Sequence, residues 1–252
     1  MPVSADHFVV LVHDIEKASA DYESLGFTVQ IRADSKPGHG AHYRFVVLED
    51  GSYILLTQFI SEEVIASHRL GADLLEGEGC ADYSFVVASV AETAALLNAA
   101  GGKTKGPVAV SNVLIDGSEW GLKLLMAGKG TEGDDALPFI VEDTVGRNFR
   151  IPSFIPHTNG VTGLAGLKIT SADAANTAKS LGIIVETPCA PSGQGFHIAA
   201  PTASIEVLAD DSTPRFGRAR GGVYELILRG KEEGLMDLAR THGLRLNIVK
   251  QA

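Results

Sequence analysis

The side chains in this chain that could do chemistry are a scatter of histidines and a few well-placed charges. His39 lies within, and His42 just after, the glycine-rich stretch Ser35-Lys36-Pro37-Gly38-His39-Gly40. Such a stretch could be a mobile lid that offers imidazoles to a substrate, or a solvated loop leading into an edge strand. Lys36 within it could attract an anionic ligand. Glu206 stands in the alternating run Ser204-Ile205-Glu206-Val207-Leu208. Alternation turns Ile205 and Val207 one way and Glu206 the other, where its carboxylate could serve a proton, a metal or an arginine. His197 on the preceding strand, and Tyr224 or Glu225 further on, are its companions, and Arg215, Arg218 and Arg220 are alternative charge partners. Arg147-Asn148-Phe149-Arg150-Ile151-Pro152 is a basic stretch in an acidic chain. It could bind a carboxylate or phosphate, or be a solvated loop. His157 opens the turn-like Thr158-Asn159-Gly160 and reads as structural. Trp120, the single tryptophan, suits a pocket wall or the core.

The elements that must position these groups recur. Phe8 to Val12 is an apolar, β-branched strand, followed by a helix with Ile15, Ala18, Tyr22 and Leu25 on one stripe and Gly26 at its end. Strands over Phe27–Arg32, His42–Leu48 and Tyr53–Phe59 follow, the last two joined by the hairpin turn Asp50-Gly51. The unit is βαβββ. Tyr83 begins a second copy that ends with Leu122–Met126. Leu164 begins a third, and Val223 a fourth, truncated one with a helix ending at Gly243. The helix-ending glycines recur at long, unequal intervals, which fits separate modules better than a stacked solenoid. The expected division is residues 1–135 for the first two units, 136–163 as a connecting segment and 164–252 for the last two. Gly128 to Asp135 should be exposed.

Composition bounds the partners. Hydrophobic residues make up 45% and charged residues 21%, as in a globular protein. A net charge of −10 argues against nucleic acid and anionic membrane, which need a basic face. No apolar run is long enough to span a membrane and no secretory signal is visible, so a cytoplasmic location is expected. Cys80 and Cys189 have neither metal-type nor redox-type spacing.

In order and spacing, the chain resembles the glyoxalase-like branch of the vicinal oxygen chelate superfamily. Asp6-His7 opening the first strand and Leu25-Gly26-Phe27 closing the first helix are similar to that family's first module. The family's glycine-rich loop is matched by Lys36-Pro37-Gly38-His39-Gly40-Ala41-His42-Tyr43, its strand-ending triplet by Ile54-Leu55-Leu56, and two later motifs by Leu137-Pro138-Phe139 and His157-Thr158-Asn159-Gly160. The resemblance implies an α+β fold of repeated βαβββ modules whose curved mixed sheets enclose a pocket. It also implies a divalent ion held by residues on the first and fourth strands of paired modules. His7 fills the first-strand position. Leu55 and Lys123 occupy the fourth-strand positions of the first two modules, and Asp82 or Ser84 lies near the counterpart of His7. Leucine supplies no ligand and a lysine ammonium repels a cation. Glu206 stands where the family keeps its carboxylate.

The expected function is therefore a glyoxalase-like pocket protein that binds a small organic ligand, with a degenerate or absent metal site. Its ligand-binding candidates are His7, His39, His42, Tyr43, Lys123, His197 and Glu206. The alternative is a divalent-metal-dependent lyase, isomerase or dioxygenase, with His7 and Glu206 as the candidate metal ligands. The implied partner is a small molecule, and the chain is a monomer or a homodimer.

Overall fold

A computed structural model describes residues 3–35, 40–209 and 221–250. The first seven strands form one sheet. In chain order they are β1 (Ser4–Leu11), β2 (Ala41–Val47), β3 (Tyr53–Phe59), β4 (Gly79–Val86), β5 (Lys105–Val113), β6 (Glu119–Met126) and β7 (Phe139–Val145). Their spatial order is β2-β3-β1-β4-β7-β6-β5. The two opening strands, β1 and β4, meet antiparallel at the centre, and each is flanked by a parallel closing strand, β3 beside β1 and β7 beside β4. A second sheet repeats this plan with β8 (Gly163–Ser171), β9 (Ala190–Ser192), β10 (Gly195–Ile198), β11 (Ser204–Ala209), β12 (Gly222–Gly230), β13 (Gly234–Leu235) and β14 (Arg245–Lys250), in the order β13-β14-β12-β8-β11-β10-β9. Modules one and two thus pair with each other, as do three and four. The fold is the α+β arrangement of βαβββ modules.

Three helices cross behind the sheets: α1 (Ile15–Ser24), α4 (Val90–Ala99) and α6 (Ala174–Ile184). Each starts where a side chain caps exposed backbone N–H groups. Asp14 accepts from Glu16 and Lys17, Ser89 from Glu92, and Asp173 from Asn176. The short helices α2 (Glu62–Ser67), α3 (Gly71–Glu76) and α5 (Arg147–Arg150) lie in connections. Strand alternation sorts the faces. Ile54 and Leu56 of β3 enter the same buried cluster as Phe8 and Val10 of β1. Ile205 and Val207 of β11 do likewise with Leu167 and Ile169 of β8, so one continuous core joins both sheets through their helix-covered sides.

Several expectations are corrected. Residues 27–32 form no strand; only an isolated bridge, Gln30 to Phe45, remains. The second module does not close with 122–126. Those residues belong to its third strand, β6, and the closing strand is β7, which begins in Leu137-Pro138-Phe139. The first sheet therefore continues into what was expected to be a connecting segment. The turn between β6 and β7 is partly buried, because Lys129, 6% exposed, turns inward to pair with Asp73. In the last module turns replace the expected helix before Gly243.

The first helix-ending glycine motif and the later His-Thr-Asn-Gly turn meet in space. Gly26 has φ +85°, and a Cβ there would lie 2.9 Å from Asn159 Cβ. The Asn159 amide donates to the Leu25 carbonyl at 2.9 Å, and His157 Nδ1 accepts from Thr28 N–H at 2.9 Å. Buried His157 is a clamp on the end of α1, with no access to the cavity described next.

Candidate functional site

The first sheet curls so that its other face lines a cavity of about 190 Å3. That is room for on the order of a dozen waters. The walls come from the alternate residues of six strands: Val9 and Leu11 of β1, Leu55 of β3, Val110 of β5, Leu122 and Leu124 of β6, and Phe139 and Val141 of β7, with Tyr43 and Phe45 from β2 and Trp120 closing one side. Tyr53, Leu55 and Thr57 face the cavity while Ile54 and Leu56 face the core.

His7 is at the floor of this cavity, in the centre of the sheet, opposite Tyr53 on one side and Ser84 on the other. Its ring stacks on Tyr53 at 4.7 Å and meets the edge of Phe139 at 5.1 Å. Nδ1 lies 2.7 Å from Asp6 Oδ2 and 2.9 Å from Ser84 Oγ. Asp6 is fully buried. Burial by itself would raise its carboxyl, but Arg150, helped by His7, holds it well below the usual carboxylate range. Asp6 is therefore the anion, and Nδ1 carries the proton that it accepts. Burial pushes His7 below the ordinary histidine range, outweighing the pull of Asp6. The imidazole is neutral at pH 7, and its unprotonated nitrogen is Nε2. Among the described residues Nε2 has no hydrogen-bond partner.

Arg150 and Arg147 fix this dyad from α5. Arg150 donates to both Asp6 oxygens at 2.9 Å, to Tyr53 Oη at 2.9 Å and to Asp143 at 2.7 and 3.0 Å. Arg147 reaches Asp6 at 2.7 Å and Asp143 at 2.6 Å. Two carboxylates thus face two guanidiniums, which is what makes so dense a buried cluster tolerable. Two further arginines border the cavity. Arg32 pairs with Asp34 through two bonds of 2.8 and 2.9 Å and lies over Trp120 and Phe45. Arg69, between α2 and α3, pairs with buried Asp82 at 2.5 Å and lies over Phe139. Burial still raises the Asp82 carboxyl, with Arg69 opposing it.

The other sequence candidates fall elsewhere. Tyr43 lines the cavity, and burial raises its phenol. His42, its neighbour on β2, is exposed on the opposite face. His39 and Lys36 lie outside the described residues, as do Arg215, Arg218 and Arg220. Lys123 is corrected. It points away from the cavity and pairs with Glu142 at 2.7 Å, because β6 presents Trp120, Leu122 and Leu124 inward and Lys123 outward. His197 and Glu206 sit opposite each other on β10 and β11 of the second sheet, so neither is brought to His7. Glu206 has Lys168 at 4.0 Å, and Lys168 pairs at 3.1 Å with Glu225, which in turn binds Arg245. It belongs to a ladder of alternating charges on a partly exposed face.

The residues found only in the structure are Arg32 and Arg69. The basic stretch at 147–150 did carry a signal. The solvated-loop reading is corrected: Arg150 is buried, and Arg147 and Arg150 bind the chain's own carboxylates, Asp6 and Asp143. Arg69 follows no motif.

A divalent ion, implied by the superfamily, does not fit these residues. Tight sites need three or four donors. The closing strands offer Leu55 and Val141 to the cavity. Asp6 and Asp82 are already engaged by arginines, and His7 Nδ1 is used by Asp6. Around Glu206, the Lys168 ammonium takes the place of a further ligand. Among the described residues no group of three or more His, Cys, Asp or Glu could hold an ion.

Residues 5–184 match the family described as "Glyoxalase-like domain", and the chain belongs to that family. The family and fold place it in the vicinal oxygen chelate superfamily. A hypothetical protein from Staphylococcus aureus has the same fold with a TM-score of 0.73, 9% identity, and coverage of 99% of this chain and 100% of that one. A variant of 4-hydroxymandelate synthase from Streptomyces coelicolor matches with a TM-score of 0.58 and 15% identity, over 90% of this chain and 71% of that one. No curated protein matches the sequence significantly. No helix among the described residues is long and apolar enough to cross a membrane.

Proposed function

We propose that this chain binds a small organic molecule with a largely apolar body in the cavity of the first sheet, without a divalent ion. One observation carries the reading. The cavity is walled mainly by aliphatic and aromatic side chains, with His7 on its floor and a small number of other polar groups, Arg32, Arg69 and Asn112 among them. Apolar walls with a few convergent polar groups are the ordinary make-up of a small-ligand site. The closing-strand residues that face the cavity, Leu55 and Val141, support the metal-free part.

Trp120 makes the test direct. It is the single tryptophan and it lines the cavity, so its emission reports occupancy. A panel of small aromatic compounds should give saturable changes that Leu55→Phe or Val141→Phe weakens by filling the space. Metal content of protein purified without chelator should be far below one equivalent. A full equivalent of divalent metal that is lost in His7→Ala would sink the metal-free reading and restore the metalloenzyme alternative.

A further inference from the structure

We propose that His7 and Arg69 form a metal-free proton-transfer site, in which His7 Nε2 takes a proton from a weakly acidic ligand and Arg69 holds the resulting oxyanion. This rests on the reading that the cavity is the ligand site, and it adds the class of ligand: an apolar molecule bearing a phenolic or enolisable group. In the step, the ligand's O–H or C–H bond breaks and an Nε2–H bond forms. The electron pair stays on the ligand as the oxyanion, and the imidazolium is left paired with Asp6. No further reactant is needed.

Three features of the geometry point to this. First, the dyad is built. Nδ1 is committed to a buried, ionised Asp6 at 2.7 Å, which fixes the tautomer and leaves the lone pair on Nε2. Second, the groups around the ring make a base without a competing donor at Nε2. They are Asp6 on its own strand, Tyr53 on β3, Ser84 and Asp82 on β4, Phe139 on β7, and Arg147 and Arg150 from α5. The tyrosine hydroxyl is the acceptor of an Arg150 bond. Third, a cation lines the same cavity as the base. The Arg69 guanidinium lies 5.4 Å from the same Phe139 ring that His7 touches at 5.1 Å. Its bonds to Asp82 and to the Lys129 carbonyl both use Nη1. Among the described residues Nε and Nη2 have no partner, so they remain available as donors. A cation within about 4–6 Å of an acid favours its ionised form by roughly one to three pKa units, about tenfold or more.

The test uses 4-nitrophenol, a chromogenic phenol, with the full chain. Trp120 quenching reads occupancy, probe absorbance reads phenolate, and calorimetry in two buffers of different ionisation enthalpy reads protons released. The expected result, about one unit below the free probe's pKa, is a phenolate-to-phenol ratio about tenfold higher on the protein than in solution. No matching proton should be released, because His7 retains it. His7→Gln should keep quenching but either lose the phenolate or release one proton for each phenolate formed. Arg69→Lys, which retains a partner for Asp82, should reduce the phenolate gain while leaving occupancy. Saturable quenching with the probe still protonated would overturn the proposal and leave the cavity reading standing. One proton released per phenolate in the unaltered chain would overturn it equally. No quenching by 4-nitrophenol or by any neutral aromatic would overturn both.

Discussion

Replacing Arg150 by methionine removes the guanidinium that faces Asp6 while keeping most of the aliphatic stem. Asp6 has no exposed side-chain surface and Arg150 has 3%, so water cannot take over the lost bonds. The substitution deletes two bonds to Asp6, two to Asp143 and one to Tyr53. Breaking a buried pair from one side costs about 3–5 kcal/mol. Arg147 still reaches Asp6 at 2.7 Å, which puts the expected loss near the lower end, about 3 kcal/mol. For a chain of this size that lowers the melting midpoint by roughly 6–12 °C. The assay is urea unfolding followed by the emission of Trp120, with a thermal melt as a second readout. The sign of the pH dependence is fixed by Asp6. Its folded value lies below its unfolded one, so its contribution is complete above the ordinary carboxylate value of about 3.9 and is lost as pH falls through the folded value. The gap between the natural chain and Arg150→Met is therefore widest near neutrality and closes in acid. A loss under about 1 kcal/mol at pH 7, or a gap that does not close, would refute the buried-pair reasoning.

Other consequences are checked by the same unfolding assay. His7 is held neutral by burial, so the unfolded chain binds its proton more readily. Stability should start to fall as pH drops below about 6.5, and His7→Gln should flatten that part of the profile. Gly26→Ala forces an L side chain into positive φ against Asn159 and should cost about 1–3 kcal/mol; a neutral effect would remove the clamp argued for His157-Thr158-Asn159-Gly160. Lys123→Ala breaks a partly exposed pair on the outer face, so it should change stability by less than about 1 kcal/mol and leave Trp120 quenching by aromatic compounds unaltered. Tyr53→Phe removes the hydroxyl that accepts from Arg150 but keeps the ring on His7; the loss should be about 0.5–1.5 kcal/mol.

Strand faces were legible wherever β-alternation was strong. The runs Tyr53 to Thr57 and Ser204 to Leu208 sort inward and outward as their period of two demands. The same logic misplaced Lys123, because the run Leu122 to Met126 was assigned to the closing strand when another strand, Phe139–Val145, lay beyond the next turn. With it moved the boundary of the first sheet. Glu206 was placed on the correct face, but face alone does not tell what stands opposite. Lys168, from the neighbouring strand, turns that carboxylate into one step of a charge ladder.

By itself the sequence determined the modules, the family resemblance and the position of His7 in the opening strand. These follow from local periods, helix-ending glycines and short motifs, all of which act within a few residues. Only the tertiary structure decided what His7 is. Its state depends on its own burial and on Asp6 being buried with Arg150, which lies 144 residues away. Burial and charge pairing act through space, and a one-dimensional pattern does not record which distant side chains share a low-dielectric interior.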